Sequence, residues 1–153
     1  MKMIDKIDHS ILSCLVQDGR ISMTDLAARV GLSKTPVIAR VRRLEEAGVI
    51  AGYHAQLSAK KLGLDHIAFV EVRLSETREA ALRAFNAAVR EISEVEECHM
   101  IAGGFDYLVK VRTCDIHAYR LVLSERISQL PYVASTSTYV VMEDVRDRGV
   151  RDL

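Results

Sequence analysis

Tryptophan is absent from these 153 residues, and aromatic side chains make up only 5% of them, so any core must be packed from aliphatic side chains. Long apolar runs are missing too. No stretch approaches the roughly 18 residues that a membrane span requires, and no charged-then-apolar signal segment opens the chain. Together these absences predict a cytoplasmic protein with no membrane partner. Cysteine is scarce: Cys14, Cys98 and Cys114 form an odd count with no Cys-x-x-Cys spacing. That argues against a disulfide framework or a zinc ribbon and for free thiols in a reducing compartment. His99 and His117 add no metal-ligand spacing, so no metal site is expected. Catalysis finds no support either. The Gly-Gly-Phe turn at 103–105 is followed by no nucleophile, and Gly19–Asp25 lacks the Gly-Lys-Ser/Thr ending of a phosphate loop.

What is present begins with a hydrophobic content of 49%, enough for a real core in one mid-sized domain or two small ones. The net charge is zero, but it divides unevenly. Residues 1–60 carry nine Lys and Arg against six acids, a balance of +3, and the remainder carries −3. Such a split suggests that one half meets a polyanion while the other does something else.

Within the basic half, Ile7, Ile11, Leu12 and Leu15 recur at helical spacing after Asp5 and Asp8, either of which can cap the start, and Gly19 is a natural stop. Ser22 or Thr24 opens a second helix with Leu26, Ala27 and Val30 on its apolar side, ended by Gly31. Ser33 is placed to cap a third, in whose first turn Pro36 is tolerated. Val37, Val41 and Leu44 face the other two helices, leaving Thr35, Ala39, Arg42, Arg43 and Glu46 outside with Arg40 on a flank. A basic helix that follows a tight Gly-Leu-Ser turn is the device by which helix-turn-helix proteins enter the major groove. Ser33, Lys34, Thr35 and Ala39 are the candidates for base-edge contact, although capping is the main role expected of Ser33. Arg40, Arg42 and Arg43 are the candidates for phosphate contact. With no DNA bound, ion pairing with Glu45 and Glu46 is expected to occupy the three arginines. Val49–Leu57 looks strand-like and is expected to form a wing.

Ser58–Asp65 looks like a connector. Beyond it the pattern becomes βαββαβ: an alternating strand over Ile67–Leu74; a helical face of Leu82, Phe85, Val89 and Ile92; and strands over Val95–Ile101 and Tyr107–Arg112. A second helical face follows, of Ile116, Tyr119, Leu123, Ile127 and Leu130, closed by Pro131 before a last strand over Val133–Met142. Two such units make a ferredoxin-like antiparallel sheet with both helices on one face. The fold class expected is therefore α+β. Residues 1–57 form a winged helix-turn-helix, 58–65 a linker, 66–145 the ferredoxin-like domain and 146–153 a tail. The sheet's uncovered face calls for a partner copy.

In this order the residues resemble the Lrp/AsnC family of bacterial and archaeal regulators. The resemblance runs through IDHSILSCLVQDGRIS, LAARVGLSKTPVIARVRRLEEAGVIAGYHAQL, EVEECHMIAGGFDYLVKVR and LPYVASTSTYVVMEDV, about residues 4–145, with ECH, FDYL and TYVVME closest to the leucine-responsive branch. It implies a non-enzymatic transcriptional regulator of amino-acid metabolism, associated with the nucleoid. It also implies a C-terminal RAM (ACT-like) domain, pairing into dimers and onward to octamers, and no cofactor beyond a small effector, an amino acid. By motif, the effector site, at a RAM-domain interface and commonly one between dimers, would comprise Met100, Gly103, Gly104, Phe105, Asp106, Ile116, Tyr139, Val140 and Val141. The Gly103–Gly104 amides would meet a carboxylate and Asp106 an α-ammonium group. AGGFDY departs from the family's GDFDY run at Gly104, and Lys34 and Ala39 depart from the usual start of the DNA-contacting helix, so neither effector nor operator carries over directly. Lys34 adds a candidate phosphate contact. The rival readings are an architectural protein that wraps DNA with little sequence preference, and a metabolic enzyme subunit with an ACT-like sensor.

Overall fold

The computed structural model describes residues 4–145, so the tail expected at 146–153 lies outside the described residues. The chain divides into two units, the first ending at Ala55 and the second starting at Gln56. The class is α+β, with three helices in the first unit and a four-stranded sheet in the second.

In the first unit, α1 spans Lys6–Gln17, α2 Met23–Val30 and α3 Lys34–Glu46. Asp5 caps α1 through a reciprocal pair: its carboxylate accepts from the Asp8 amide at 2.8 Å while the Asp8 carboxylate accepts from the Asp5 amide at 3.1 Å. Ser22 caps α2 by accepting from the Asp25 amide. Gly31, at φ +69°, supplies the left-handed turn into α3 that a side chain would strain. Ile11, Leu15, Leu26, Ala27, Val37, Val41 and Leu44 interlock as an aliphatic core.

Two expectations need correcting here. The Ser33 hydroxyl makes no cap hydrogen bond, so Ser33 occupies the cap position only by its backbone. No strand forms over residues 51–56. The amides of Val49 and Ile50 both turn back onto the Leu44 carbonyl, and the first unit offers no second strand among its described residues for the segment to pair with.

The second unit opens with an unexpected element where only a connector was foreseen. A one-turn helix, α4 (Ala59–Leu62), is capped by Ser58 and stopped by Gly63 at φ +68°. Then come β1 (His66–Leu74), α5 (Glu79–Val89), β2 (Val95–Met100), β3 (Tyr107–Thr113), α6 (Ile116–Glu125) and β4 (Val133–Val140). The sheet order is β2-β3-β1-β4, and every neighbouring pair is antiparallel. The long second helix expected up to Leu130 breaks at Arg126, whose φ of −120° ends α6. A 3₁₀ turn over Ile127–Gln129 then buries Ile127 completely.

Alternation along the strands sends Ala68, Val70, Val72 and Leu74 of β1 and Tyr107, Val109 and Val111 of β3 into one core with Phe85, Val89, Tyr119 and Val122. Phe85 stacks on Tyr107 at a ring separation of 4.3 Å. The opposite face, uncovered in one chain, mixes apolar and charged side chains. It carries Phe69 and Leu108 beside an ionic ladder in which Glu96 meets Lys110 at 3.0 Å and Arg112 at 2.5 Å, and Glu97 meets His99 at 3.2 Å.

Candidate functional site

The first candidate surface is α3. Ser33, Lys34, Thr35 and Ala39 are all exposed on its N-terminal half, where a helix presented to a major groove makes its base contacts. The three arginines prove unequal. Arg42 projects into solvent, 78% exposed, and its Nε donates to Glu46 at 2.9 Å one turn on. Arg40 and Arg43 turn the other way, away from the expected partners Glu45 and Glu46, and both reach the carboxylate of Asp8 in α1. Arg40 Nη1 donates to Asp8 Oδ1 at 2.8 Å and to Asp5 Oδ2 at 2.6 Å, and Arg43 Nη2 donates to Asp8 Oδ2 at 2.5 Å. Glu45 instead accepts from the Tyr53 hydroxyl.

The Asp8 side chain is 0% exposed. Burial alone would raise its pKa, but the Asp5 amide and the two guanidinium donors outweigh that penalty and hold the carboxyl below its ordinary value. Asp5 is lowered to about 2, first by the Asp8 amide and then by Arg40. The sequence offers either aspartate as the cap of α1 and does not by itself reveal their second task. The signal was the Asp-x-x-Asp spacing itself, which puts two carboxylates on one turn.

The residues expected at the effector site do not meet within one chain. Met100, Gly103, Gly104, Phe105 and Asp106 lie at one end of the sheet, where the Asp106 amide donates to the Val72 carbonyl at 3.0 Å. Tyr139, Val140 and Val141 lie at the other, where the Val141 amide donates to the Ile67 carbonyl at 2.9 Å, and Ile116 opens α6 just after β3 ends there. Ile67 and Val72 are five residues apart on β1, roughly 16 Å at ~3.3 Å per residue, too far for one amino acid to touch both groups. Tyr139 and Val140 also point to opposite faces. Tyr139 stands near Glu71, whose carboxylate pushes its hydroxyl pKa up, whereas Val140 pairs with core residue Ala68.

Asp106 already has structural work: its Oδ2 accepts the Leu74 amide at 2.7 Å, which closes the end of β1. Arg73, not foreseen from sequence, donates to the Gly104 carbonyl and so ties the Gly-Gly turn to the same strand end. A cleft of about 450 Å³ lies between α5 and β2, lined by Asn86, Val89, Arg90, Cys98 and Tyr107, and of the expected effector residues it includes Met100.

Comparison with known proteins accounts for both units. Residues 67–150 match the Lrp/AsnC ligand-binding domain and residues 4–51 a winged helix-turn-helix DNA-binding domain. The chain is 59% identical over 147 residues to a proline dehydrogenase transcriptional activator of Rhizobium radiobacter, covering 96% of this chain and 94% of the relative. It is 48% identical over 145 residues to the leucine-responsive regulatory protein of Escherichia coli strain K12, covering 95% and 88%. Among solved structures, the transcriptional regulator NMB0573 of Neisseria meningitidis in complex with L-Met superimposes at a TM-score of 0.88 with 30% identity, covering 95% and 94%. No helix among the described residues is long and apolar enough to cross a membrane. A basic helix presented by a helix-turn-helix core and a ferredoxin-like sheet that bears the ligand-binding sequence are therefore parts of one DNA-binding regulator rather than an enzyme, and the chain belongs to the Lrp/AsnC family of transcriptional regulators.

Proposed function

We propose that this regulator activates a gene for proline oxidation in response to an amino acid, with proline the first candidate. The observation that carries the proposal is the 59% identity to a proline dehydrogenase transcriptional activator, against 48% to a leucine-responsive protein, over nearly the same span. On this reading α3 reads an operator through Ser33, Lys34, Thr35 and Ala39, with Lys34 and Arg42 on phosphates. The protein acts on the cytoplasmic nucleoid. A pair of chains presents two such helices, so half-sites are spaced by one helical turn or a multiple of it.

The separation of the nine effector residues into two groups supports assembly. A second copy that laid its Ile116–Tyr139 end against the Met100–Asp106 end would complete a site that one chain leaves open. The effector would then stabilise the assembly in which its site is whole, and operator affinity would shift with it by linkage. No cofactor besides the effector is required.

The test uses the full chain and DNA from upstream of the proline dehydrogenase gene of its source organism. Gel shifts should favour that fragment over scrambled DNA by 10³-fold or more at equal salt. Among the common amino acids at millimolar concentration, proline should raise the melting temperature most. Equal affinity for scrambled DNA favours an architectural role. A thermal shift with leucine or methionine but not proline rejects proline as the signal.

A further inference from the structure

A carboxylate with no exposed surface must be paired, and Asp8 has both its oxygens taken. Its partners are two of the four positive groups on α3. The pairing is unequal to that of Arg42. Arg42 and Glu46 form an exposed i,i+4 pair of the kind that contributes little and yields easily to a phosphate. Moving Arg43 to a phosphate would strip a buried carboxylate of a charged partner, and such stripping is strongly unfavourable. Arg40 and Arg43 are one helical turn apart and converge on a single residue of α1, so together they also fix the rotation of α3 about its own axis.

We propose that Asp8 is a positioning residue that withholds Arg40 and Arg43 from DNA phosphates and sets the rotation of α3, leaving phosphate neutralisation on this helix to Lys34 and Arg42. The proposal rests on α3 being the DNA-contacting helix, and it removes Arg40 and Arg43 from the contacts that the sequence suggests. Asp5 completes a locally neutral cluster of two acids and two bases. The basic character of α3 toward DNA is thus about half of what its composition implies.

Fluorescence anisotropy of the full chain on a 30-base-pair duplex of unrelated sequence, repeated across a salt series, counts the phosphates engaged. The slope of log affinity against log salt changes by about 0.9 for each. Arg42→Gln should flatten the slope by about 1 per helix engaged. Arg43→Gln should weaken binding by the same factor at every salt concentration and leave the slope unchanged, since it loosens the helix without removing a phosphate contact. Asp8→Asn frees Arg43 and leaves Arg40 held by Asp5 alone, and should steepen the slope by about 1 per helix, or by about 2 where Arg40 also leaves Asp5, while blunting discrimination between operator and random DNA. A loss of structure alone would never steepen it. Equal flattening by Arg43→Gln and Arg42→Gln overturns the proposal, as does an unchanged slope in folded Asp8→Asn protein. Should Asp8→Asn fail to fold, as circular dichroism would show, the contrast between the two arginine variants decides alone. A wild-type chain that binds no duplex at any salt overturns the reading of α3 itself, and this proposal with it, before a variant is made.

Discussion

On the proposed function, the first unit finishes its working surface within one chain, and the second does not. In residues 4–55 an aliphatic core, a capped α1 and an ionic cluster around Asp8 hold α3 through Val37, Val41, Leu44, Arg40 and Arg43. In residues 56–145 the core is larger and just as complete, yet the residues expected to hold an effector are parted by most of the length of β1. The difference separates recognition of a permanent ligand from sensing of a variable one. A DNA reader gains from being rigid before it binds. On the proposed function, a sensor whose site is completed by a second copy would respond to ligand by responding to assembly, and the signal would reach the DNA-bound state that way.

The largest effect should come from removing a core side chain of the second unit. Phe85 is fully buried against Tyr107, and Phe85→Ala should destabilise that unit by about 4 kcal/mol. Hydrogen exchange should show protection lost across β1–β4 while the amides of α1–α3 keep theirs. Equal loss in both units would erase the distinction between them.

Next in size is a test of what Asp106 does. Its carboxylate satisfies the Leu74 amide, so Asp106→Ala should cost about 1 to 2 kcal/mol through a partly buried N–H left unpaired. Asp106→Asn keeps an acceptor and should restore most of that stability. If Asp106 also meets the α-ammonium group, the Asn variant will melt almost like the native protein yet lose the thermal shift that the effector produces. If its role is structural alone, the Asn variant will bind effector normally.

These tests also mark where sequence reading succeeded and where it stopped. Helices α1–α3 were legible because caps, apolar spacing and glycine stops agree, and the βαββαβ order because period-2 and period-3.6 stretches alternate cleanly. The helix α4 was missed because four residues carry no periodicity, although Ser58 and Gly63 mark its ends. The break at Arg126 was missed because Ile127 and Leu130 keep the helical spacing through a 3₁₀ turn. The partition of the arginines was invisible for another reason. Asp8 and Arg43 are 35 residues apart, and no local pattern states that a capping carboxylate on one helix faces a basic residue on another. The spread of the effector residues is of the same kind, since motif order along a chain does not give distance across a sheet.

A smaller effect tests the ionic cluster by pH. Asp5 titrates near 3.8 when unfolded and at about 2 when folded. Its depressed pKa therefore adds stability that is fully present above pH 3.8 and is lost as the pH falls through about 2. The difference in melting temperature between native protein and Asp5→Asn should be constant from pH 6 to about pH 5 and close progressively toward pH 2. A gap that persists to pH 2 would mean that the carboxylate charge is not what stabilises the helix junction.

The smallest effect compares two serines within the first unit. Ser22 and Ser33 both precede helices and both have extended backbone, with ψ of 149° and 162°. Sequence alone assigns them the same role. Ser22 Oγ accepts the Asp25 amide at 3.1 Å and donates to the Asp25 carboxylate at 2.6 Å, whereas Ser33 Oγ makes no cap bond. Ser22→Ala should therefore cost about 1 kcal/mol, as lost caps do, and Ser33→Ala only a few tenths. The order should reverse for DNA, because a hydroxyl not committed to its own helix remains free at the end of α3 that, on the proposed function, enters the groove. Chemical denaturation and operator titration of the same two variants measure both halves. If Ser33→Ala costs as much stability as Ser22→Ala and leaves operator affinity untouched, the free hydroxyl is a cap after all and Ser33 leaves the set of base contacts.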